Sequence, residues 1–146
     1  MSKIKFSQKH TNQFKKIGIQ TIYLFGSRAQ GKTHALSDFD IGVVFENPQK
    51  YKNKTFEVYS KLYDIFTDVL PKAYLQDRFK MRRHEFDLVF LQFAPISLQF
   101  EASRNSIVLY ESNAEKRFTY EEKVINHYCD LGHIFDLSYK ALLERL

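Results

Sequence analysis

Three aspartates in this chain have residue types and spacing suited to binding a divalent metal. Asp38 and Asp40 flank Phe39 at the start of a run rich in β-branched and aromatic residues. In a strand, residues i and i+2 point to the same face, so these two carboxylates project together. They repel each other unless a cation lies between them. Oxygen ligands of this kind suit Mg²⁺, which keeps several waters and shares the phosphates of a substrate.

The third aspartate, Asp87, lies in another run that otherwise consists of Phe, Leu and Val. A buried, unpaired carboxylate in such a strand is expensive, so Asp87 needs either a partner or an edge position that faces solvent. If its strand pairs with that of Asp38 and Asp40, the three carboxylates meet at one edge of a sheet. This arrangement suits phosphoryl transfer with two Mg²⁺ ions, for which Mn²⁺ is a possible substitute.

A short segment ahead of the aspartates is suited to holding phosphates. Gly26 directly follows a predicted buried strand, where it lets the backbone turn sharply and approach a ligand closely. Ser27 offers a hydroxyl and an N–H at the start of a helix, where phosphates bind well. Arg28 can reach a phosphate or form a surface ion pair. A Gly-Ser pair or an Asp-x-Asp alone carries little information, but their order on successive elements favours a metal–nucleotide site.

The elements that position these residues alternate between helices and strands. Strands are predicted at Thr21–Phe25, Phe39–Phe45, Glu85–Gln92 and Ser106–Tyr110. Helices are predicted from Ser7 to Ile17, from Phe56 to a stop at Pro71, and from Pro95 onward. A helix or turn is predicted from Ser27 to Gly31. A long helix from Phe118 to Leu142, interrupted at Gly132, is predicted at the end of the chain. The order predicts an α/β or α+β fold with a mixed sheet of about four strands, covered by helices and followed by a long C-terminal helix.

Length and composition limit the remaining possibilities. The 146 residues fit a single domain spanning residues 1–146. The net charge of +5 can attract phosphate-bearing ligands or serve solubility alone. Cys129 is the only cysteine, which excludes an intramolecular disulfide and predicts a small core residue. The sequence contains no signal peptide and no membrane-length apolar run, so we expect a cytoplasmic protein without membrane contact.

The motif also resembles that of a known family. The sequence resembles the signature of the DNA polymerase β-like nucleotidyltransferase superfamily in the string G-S-x-A-x-G-x5-S-D-x-D, with fixed positions at Gly26, Ser27, Ala29, Gly31, Ser37, Asp38 and Asp40. Over nearly the whole chain it is similar to the minimal nucleotidyltransferase (MNT) antitoxins of HEPN–MNT toxin–antitoxin pairs. The segment Leu109 to Ser112 and the following helix with Tyr128 and Asp130 share this likeness. The motif is specific for the superfamily and less so for the antitoxin branch.

The resemblance implies a role for each matched residue. Gly26 and Ser27 would hold the triphosphate. Asp38 and Asp40 would bind both metals, and Asp87 would join at the catalytic metal and help to activate the acceptor. In the antitoxin branch, AMP passes from ATP to a tyrosine of the HEPN toxin, an RNase, and this modification silences the toxin. Every motif position is present in this chain.

Several functions remain open at this point. The chain can adenylylate a HEPN toxin, neutralise a partner by binding alone, or adenylylate a small molecule such as an aminoglycoside. Enzymes of the last kind usually carry a further helical domain for the acceptor. No template-holding domain is visible, so we expect no direct nucleic-acid binding. The acceptor is expected on a protein partner that packs against exposed aromatic residues of the C-terminal helix or its neighbours.

Overall fold

A four-stranded mixed sheet forms the centre of the fold. The computed structural model describes residues 4–26, 39–70 and 86–146. Within them the strands are β1 (Ile19–Phe25), β2 (Phe39–Phe45), β3 (Phe86–Phe90) and β4 (Ile107–Glu111), in the order β3-β2-β1-β4. β1 is antiparallel to both β2 and β4, whereas β2 and β3 are parallel. The predicted mixed sheet is therefore confirmed.

Helices precede the first strand, connect later ones and follow the last. They are α1 (Gln8–Ile17), α2 (Thr55–Val69), α3 (Ile96–Arg104) and α4 (Ala114–Glu144). The predicted start of α1 is confirmed, because the Ser7 hydroxyl accepts a hydrogen bond from the His10 N–H at 3.3 Å. Its predicted end is confirmed by Gly18, which adopts a left-handed φ of 90°. α2 lies between the parallel strands β2 and β3, which cannot be joined by a tight hairpin.

Alternating side chains along the strands build a core on each face of the sheet. Ile41 and Val43 of β2 point to the face covered by α1 and α2, where they join Phe14 and Leu62. Val44 points to the other face and packs with residues of β1 and α3. The same alternation holds in β3, as its sequence predicts. Two hydrophobic clusters therefore fix which side chains of each strand face which helices.

Polar contacts attach the first turns of α4 to the sheet. Tyr23 is fully buried in β1, and its hydroxyl donates to Glu121 Oε1 at 2.8 Å. Arg117 donates to the same oxygen at 3.0 Å and also bonds Glu111. Lys116 bonds Glu46 at 2.6 Å, which lowers the pKa of that carboxyl group. A buried Tyr23 hydroxyl without a hydrogen-bond partner would be costly. α4 therefore supplies that partner as well as covering the sheet.

The end of β3 differs from the prediction. The strand was expected to continue to Gln92, but the chain leaves the ladder after Phe90 and forms a 3₁₀ turn at Leu91–Phe93. The Gln92 side chain accepts from the Phe45 N–H at 2.7 Å and donates to the Phe45 carbonyl at 2.9 Å. A side-chain amide thus satisfies backbone groups that a longer strand would have paired. The alternating sequence pattern does not distinguish a longer strand from this side-chain pairing.

Phe56, where α2 was predicted to begin, is 83% exposed, because the buried face of α2 carries Val58, Leu62 and Phe66. Two further expectations about the C-terminal helix are wrong. Gly132 does not interrupt α4, which runs unbroken for 31 residues. Cys129 is exposed and is not a core residue. The helix or turn expected from Ser27 to Gly31 lies outside the described residues. Among the helices that the structure describes, none has the length and apolarity needed to cross a membrane.

The Tyr23 hydrogen bond predicts an alkaline effect on stability. Burial, followed by the hydrogen bond to Glu121, raises the pKa of Tyr23 above its ordinary value of 10.0. The folded state therefore favours the neutral phenol, and this contribution is complete below pH 10 and decreases as the pH rises above it. We expect Tyr23→Phe to lower the free energy of unfolding by about 1 kcal/mol at neutral pH. The difference from wild type should shrink above about pH 10.

The measurement is denaturant unfolding over a series of pH values, with Tyr139→Phe as the control. Tyr139 is 64% exposed near the end of α4, so its change should leave the free energy of unfolding unaltered at neutral pH. A difference between Tyr23→Phe and wild type that stays constant through the alkaline range would contradict the prediction.

Candidate active site

Two of the three predicted carboxylates lie beside each other on adjacent strands. Asp40 of β2 and Asp87 of β3 are register partners in the parallel pair. Partners in such a pair project to the same face of the sheet. Asp40 is also opposite Phe25 of β1, which packs in the hydrophobic cluster below α3 and α4. Both carboxylates therefore project on the side of the sheet that α3 and α4 cover.

These carboxylates line an open cleft of roughly 470 Å³ at the end of the strands. Gly26 forms the part of its wall that follows β1. Glu101 of α3 and Tyr59 of α2 line it as well, together with the apolar residues Phe25, Leu88, Val89 and Leu98. A shallow cleft with several carboxylates on one side suits a cation-bound polyphosphate better than a free anion, because the carboxylates alone repel phosphate.

Gly26 allows the Asp40 carboxylate to approach the backbone. Its φ of 78° lies in the left-handed region, which side chains other than glycine rarely adopt. A Cβ atom built on Gly26 would overlap Oδ2 of Asp40. The first glycine of the sequence motif is thus in contact with the second aspartate of the Asp-x-Asp pair, which explains why both belong to one motif.

Asp87 faces solvent. β3 is an edge strand of the described sheet, and Asp87 is exposed near its beginning. The sequence allowed Asp87 to be either buried with a partner or solvent-facing at an edge, and the structure shows the solvent-facing edge position. An exposed carboxylate at the mouth of a cleft is accessible to both a hydrated cation and an incoming substrate.

The remaining predicted site residues, Asp38, Ser27 and Arg28, lie outside the described residues. Within the described ranges, no three acidic, histidine or cysteine side chains are grouped closely enough to hold a metal. Asp40 and Asp87 nevertheless supply the oxygen donors that Mg²⁺ prefers, on neighbouring positions of one face. The described part of the site thus has suitable donor chemistry for a divalent cation that Asp38 would also bind.

Sequence reasoning missed Glu101 and Tyr59. Both line the cleft, but each comes from a helix that carries no part of the motif. The only available signal was weak: Leu98 and Glu101 are three residues apart and so share one face of α3. Their presence in the cleft depends on how α2 and α3 pack on the sheet, which their local sequence does not state.

Comparisons with known proteins show which sequences are similar to this chain. A family model described as "Polymerase beta, Nucleotidyltransferase" matches residues 8–115. The chain is 26% identical over 107 residues to the protein adenylyltransferase MntA of Aphanizomenon flos-aquae (strain 2012/KM1/D3), covering 73% of this chain and 67% of that protein.

Solved structures share the fold. A chain from the crystal structure of a toxin–antitoxin with AMP-PNP superposes with a TM-score of 0.60 at 21% identity, covering 91% of this chain and 94% of its own length. A chain from a structure of tri-AMPylated Shewanella oneidensis HEPN toxin in complex with MNT antitoxin gives 0.53 at 19% identity, covering 90% and 94%. At these identities, the likeness establishes the arrangement of elements.

The contact between Gly26 and Asp40 predicts opposite effects for two glycine-to-alanine changes. Gly26→Ala should lower the free energy of unfolding by about 1–3 kcal/mol, because alanine is strained at a left-handed φ and its Cβ displaces the carboxylate. Gly132→Ala is the matched control, since a Cβ there meets no atom within 4 Å. This change should raise stability by about 1 kcal/mol through helix propensity. Chemical denaturation of both variants measures the effect, and equal stability of the two would refute this account of Gly26.

Proposed function

This chain belongs to the polymerase beta nucleotidyltransferase family, and we propose that within it the chain is an antitoxin that transfers AMP from ATP to a tyrosine hydroxyl of a HEPN RNase toxin. The observation that carries the proposal is the pairing of Asp40 with Asp87 beside Gly26 in an open cleft. The 26% identity to a protein adenylyltransferase supports the reaction type. The shared fold with chains from toxin–antitoxin structures supports the choice of acceptor.

In the proposed reaction, each residue of the cleft has a defined task. Asp40 and Asp87, together with Asp38, would hold two Mg²⁺ ions. When bound, such ions stabilise charge on the triphosphate and lower the pKa of the attacking hydroxyl. The left-handed turn at Gly26 leaves the backbone without a side chain, so that phosphate oxygens can approach it. Ser27 and Arg28 would donate hydrogen bonds to the same phosphates.

The bond changes follow from the chemistry of nucleotidyl transfer. The tyrosine oxygen attacks the α-phosphorus of ATP, the bond from that phosphorus to the bridging oxygen breaks, and pyrophosphate leaves. The hydroxyl proton passes to a carboxylate oxygen of Asp87, which is exposed at the cleft and faces an arriving acceptor. A tyrosine on the surface of another protein can reach a carboxylate that faces solvent, whereas it cannot enter a closed pocket.

The test of this proposal is transfer of label from α-labelled ATP with Mg²⁺ to a purified HEPN protein encoded beside the gene. We expect Asp40→Asn and Asp87→Asn each to reduce labelling by at least about a hundredfold, because each removes a carboxylate that would hold the Mg²⁺ ions on which charge stabilisation depends. Asp64→Asn is the control. Asp64 is an exposed aspartate of α2 that lines a different groove, between α1 and α2, and its change should leave labelling intact.

Two other outcomes would overturn the proposal in different ways. If no nucleotide labels the HEPN protein while both proteins still bind, and if the aspartate variants still inhibit its RNase activity, the chain neutralises its partner by binding alone. If label instead appears on an aminoglycoside and not on the protein, the chain is a small-molecule adenylyltransferase. RNase assays with each variant separate the first outcome from the proposed reaction.

A further inference from the structure

The wall of the candidate cleft carries a hydroxyl group of its own. Of the described residues that line the cleft, Tyr59 is the only one with a hydroxyl, and the others are carboxylates, a glycine and apolar side chains. The reaction proposed above takes a tyrosine hydroxyl as its acceptor. The cleft therefore contains the same chemical group that this reaction consumes.

Tyr59 lies at the outer edge of β3, the edge strand of the described sheet. Its ring stacks with that of Tyr63 at 6.2 Å between centroids and meets the ring of Phe90 edge-on at 6.3 Å. Leu88 and Val89 point to opposite faces of β3, yet both line the cleft, so the cleft continues around the edge of this strand. Tyr59 thus reaches the cleft from the face of the sheet that α2 covers.

The order of the strands puts Tyr59 and Gly26 on opposite sides of the two carboxylates. Gly26 follows β1 and adjoins Asp40 of β2, whose register partner on β3 is Asp87. Neighbouring strands lie about 5 Å apart, so these residues follow one another across the cleft, with Tyr59 beyond β3. In-line displacement requires the attacking oxygen and the leaving group on opposite sides of the phosphorus. The proposed function assigns the phosphates of ATP to the backbone at Gly26, so an acceptor attacks from the side of Tyr59.

Tyr59 is already held at the cleft, whereas an acceptor on a partner must arrive from solution. Its side chain is half-buried, and two aromatic neighbours pack against its ring. Reaction of a group that is fixed beside the donor avoids the entropic cost of bringing two molecules together, which corresponds to a high effective concentration. In the absence of a partner, Tyr59 is therefore the acceptor that the cleft meets first.

We propose that Tyr59 is a self-modification site, which receives AMP from the chain's own cleft when no partner hydroxyl is present. The inference rests on the proposed function, because it uses the same carboxylates and the same ATP. The phenolic oxygen of Tyr59 bonds to the α-phosphorus, the bond from this phosphorus to the bridging oxygen breaks, and pyrophosphate leaves with the electron pair. The hydroxyl proton passes to a carboxylate oxygen of Asp87 and then to water, since Asp87 faces solvent.

The test is incubation of the purified chain alone with ATP and Mg²⁺, followed by mass spectrometry of its peptides. We expect the peptide that contains Tyr59 to gain the mass of one adenylyl group. Tyr59→Phe should lose this gain, and Tyr63→Phe should retain it. Tyr63 is the matched control, because it lies one turn away on α2 and is also half-buried, but is not among the described residues that line the cleft. An adenylyl group on a different residue overturns the proposal.

The kinetics show whether the donor site and the acceptor belong to one molecule. Transfer within one chain has a rate constant that does not depend on the concentration of the chain. A rate constant that rises in proportion to this concentration indicates transfer between copies and overturns the proposal.

A second measurement does not depend on the reaction. In α,β-methylene-ATP a methylene group replaces the bridging oxygen, so pyrophosphate cannot leave. When bound, this analogue should slow the nitration of Tyr59 by tetranitromethane severalfold and leave that of Tyr139, which is 64% exposed on α4, unchanged. Equal nitration of Tyr59 with and without the bound analogue places its ring away from the nucleotide and opposes the proposal.

The two acceptors separate this inference from the proposed function. If the HEPN protein is labelled and the chain is never labelled, even when it is alone, the proposed function stands and self-modification fails. If the chain is labelled at Tyr59 and the HEPN protein is not, self-modification stands and the proposed acceptor is wrong. Failure to label either protein overturns both.

Discussion

The parallel pairing of β2 with β3 holds Asp40 opposite Asp87, and the cleft depends on this register. A shift of one residue would turn Asp87 to the face covered by α1 and α2. The hydrophobic clusters prevent that shift, because Ile41 and Val43 of β2 and Phe86 of β3 are buried in the same core. Packing on one face of the sheet therefore positions the carboxylates on the other. Gly26 adds a second constraint from β1, since only a residue without a side chain leaves room for the Asp40 carboxylate.

The two halves of α4 have different physical roles. The first half satisfies the buried hydroxyl of Tyr23 and covers apolar residues of the sheet, so it is part of the folded core. The second half makes no comparable contacts among the described residues, although it carries large exposed apolar side chains such as Phe135 and Leu142. A helix that is anchored at its base can support an exposed apolar surface without loss of the fold. This division allows the chain to present an extended surface beyond the edge of a small sheet.

An open cleft has consequences for the acceptor. Asp87 faces solvent on an edge strand, and the cleft is lined by side chains from three strands and two helices. Such a site can bind a nucleotide through cations and backbone groups, but it offers little enclosure for a small second substrate. Orientation of the acceptor must then come from contacts outside the cleft.

The sequence by itself determined the local features. It predicted the mixed sheet, the residue range of β2, the boundaries of α1 at Ser7 and Gly18, and a turn at Gly26, because periodicity and turn chemistry are encoded by neighbouring residues. It also placed the motif residues on the correct elements wherever the structure describes them. The roles of Asp38, Ser27 and Arg28 stay predictions.

Only the tertiary structure decided which distant elements meet. Contacts across long stretches of chain decide that Asp87 is exposed and that Glu101 and Tyr59 line the cleft. They also decide that the Gln92 side chain, and not a longer strand, pairs with the backbone of Phe45. The unbroken course of α4 through Gly132 likewise reflects a small local cost of glycine set against the attachment of the first half of the helix to one face of the sheet. The local pattern of residues specifies the period and the ends of each element. Burial and register are properties of pairs of elements, and the linear sequence does not state which elements pair.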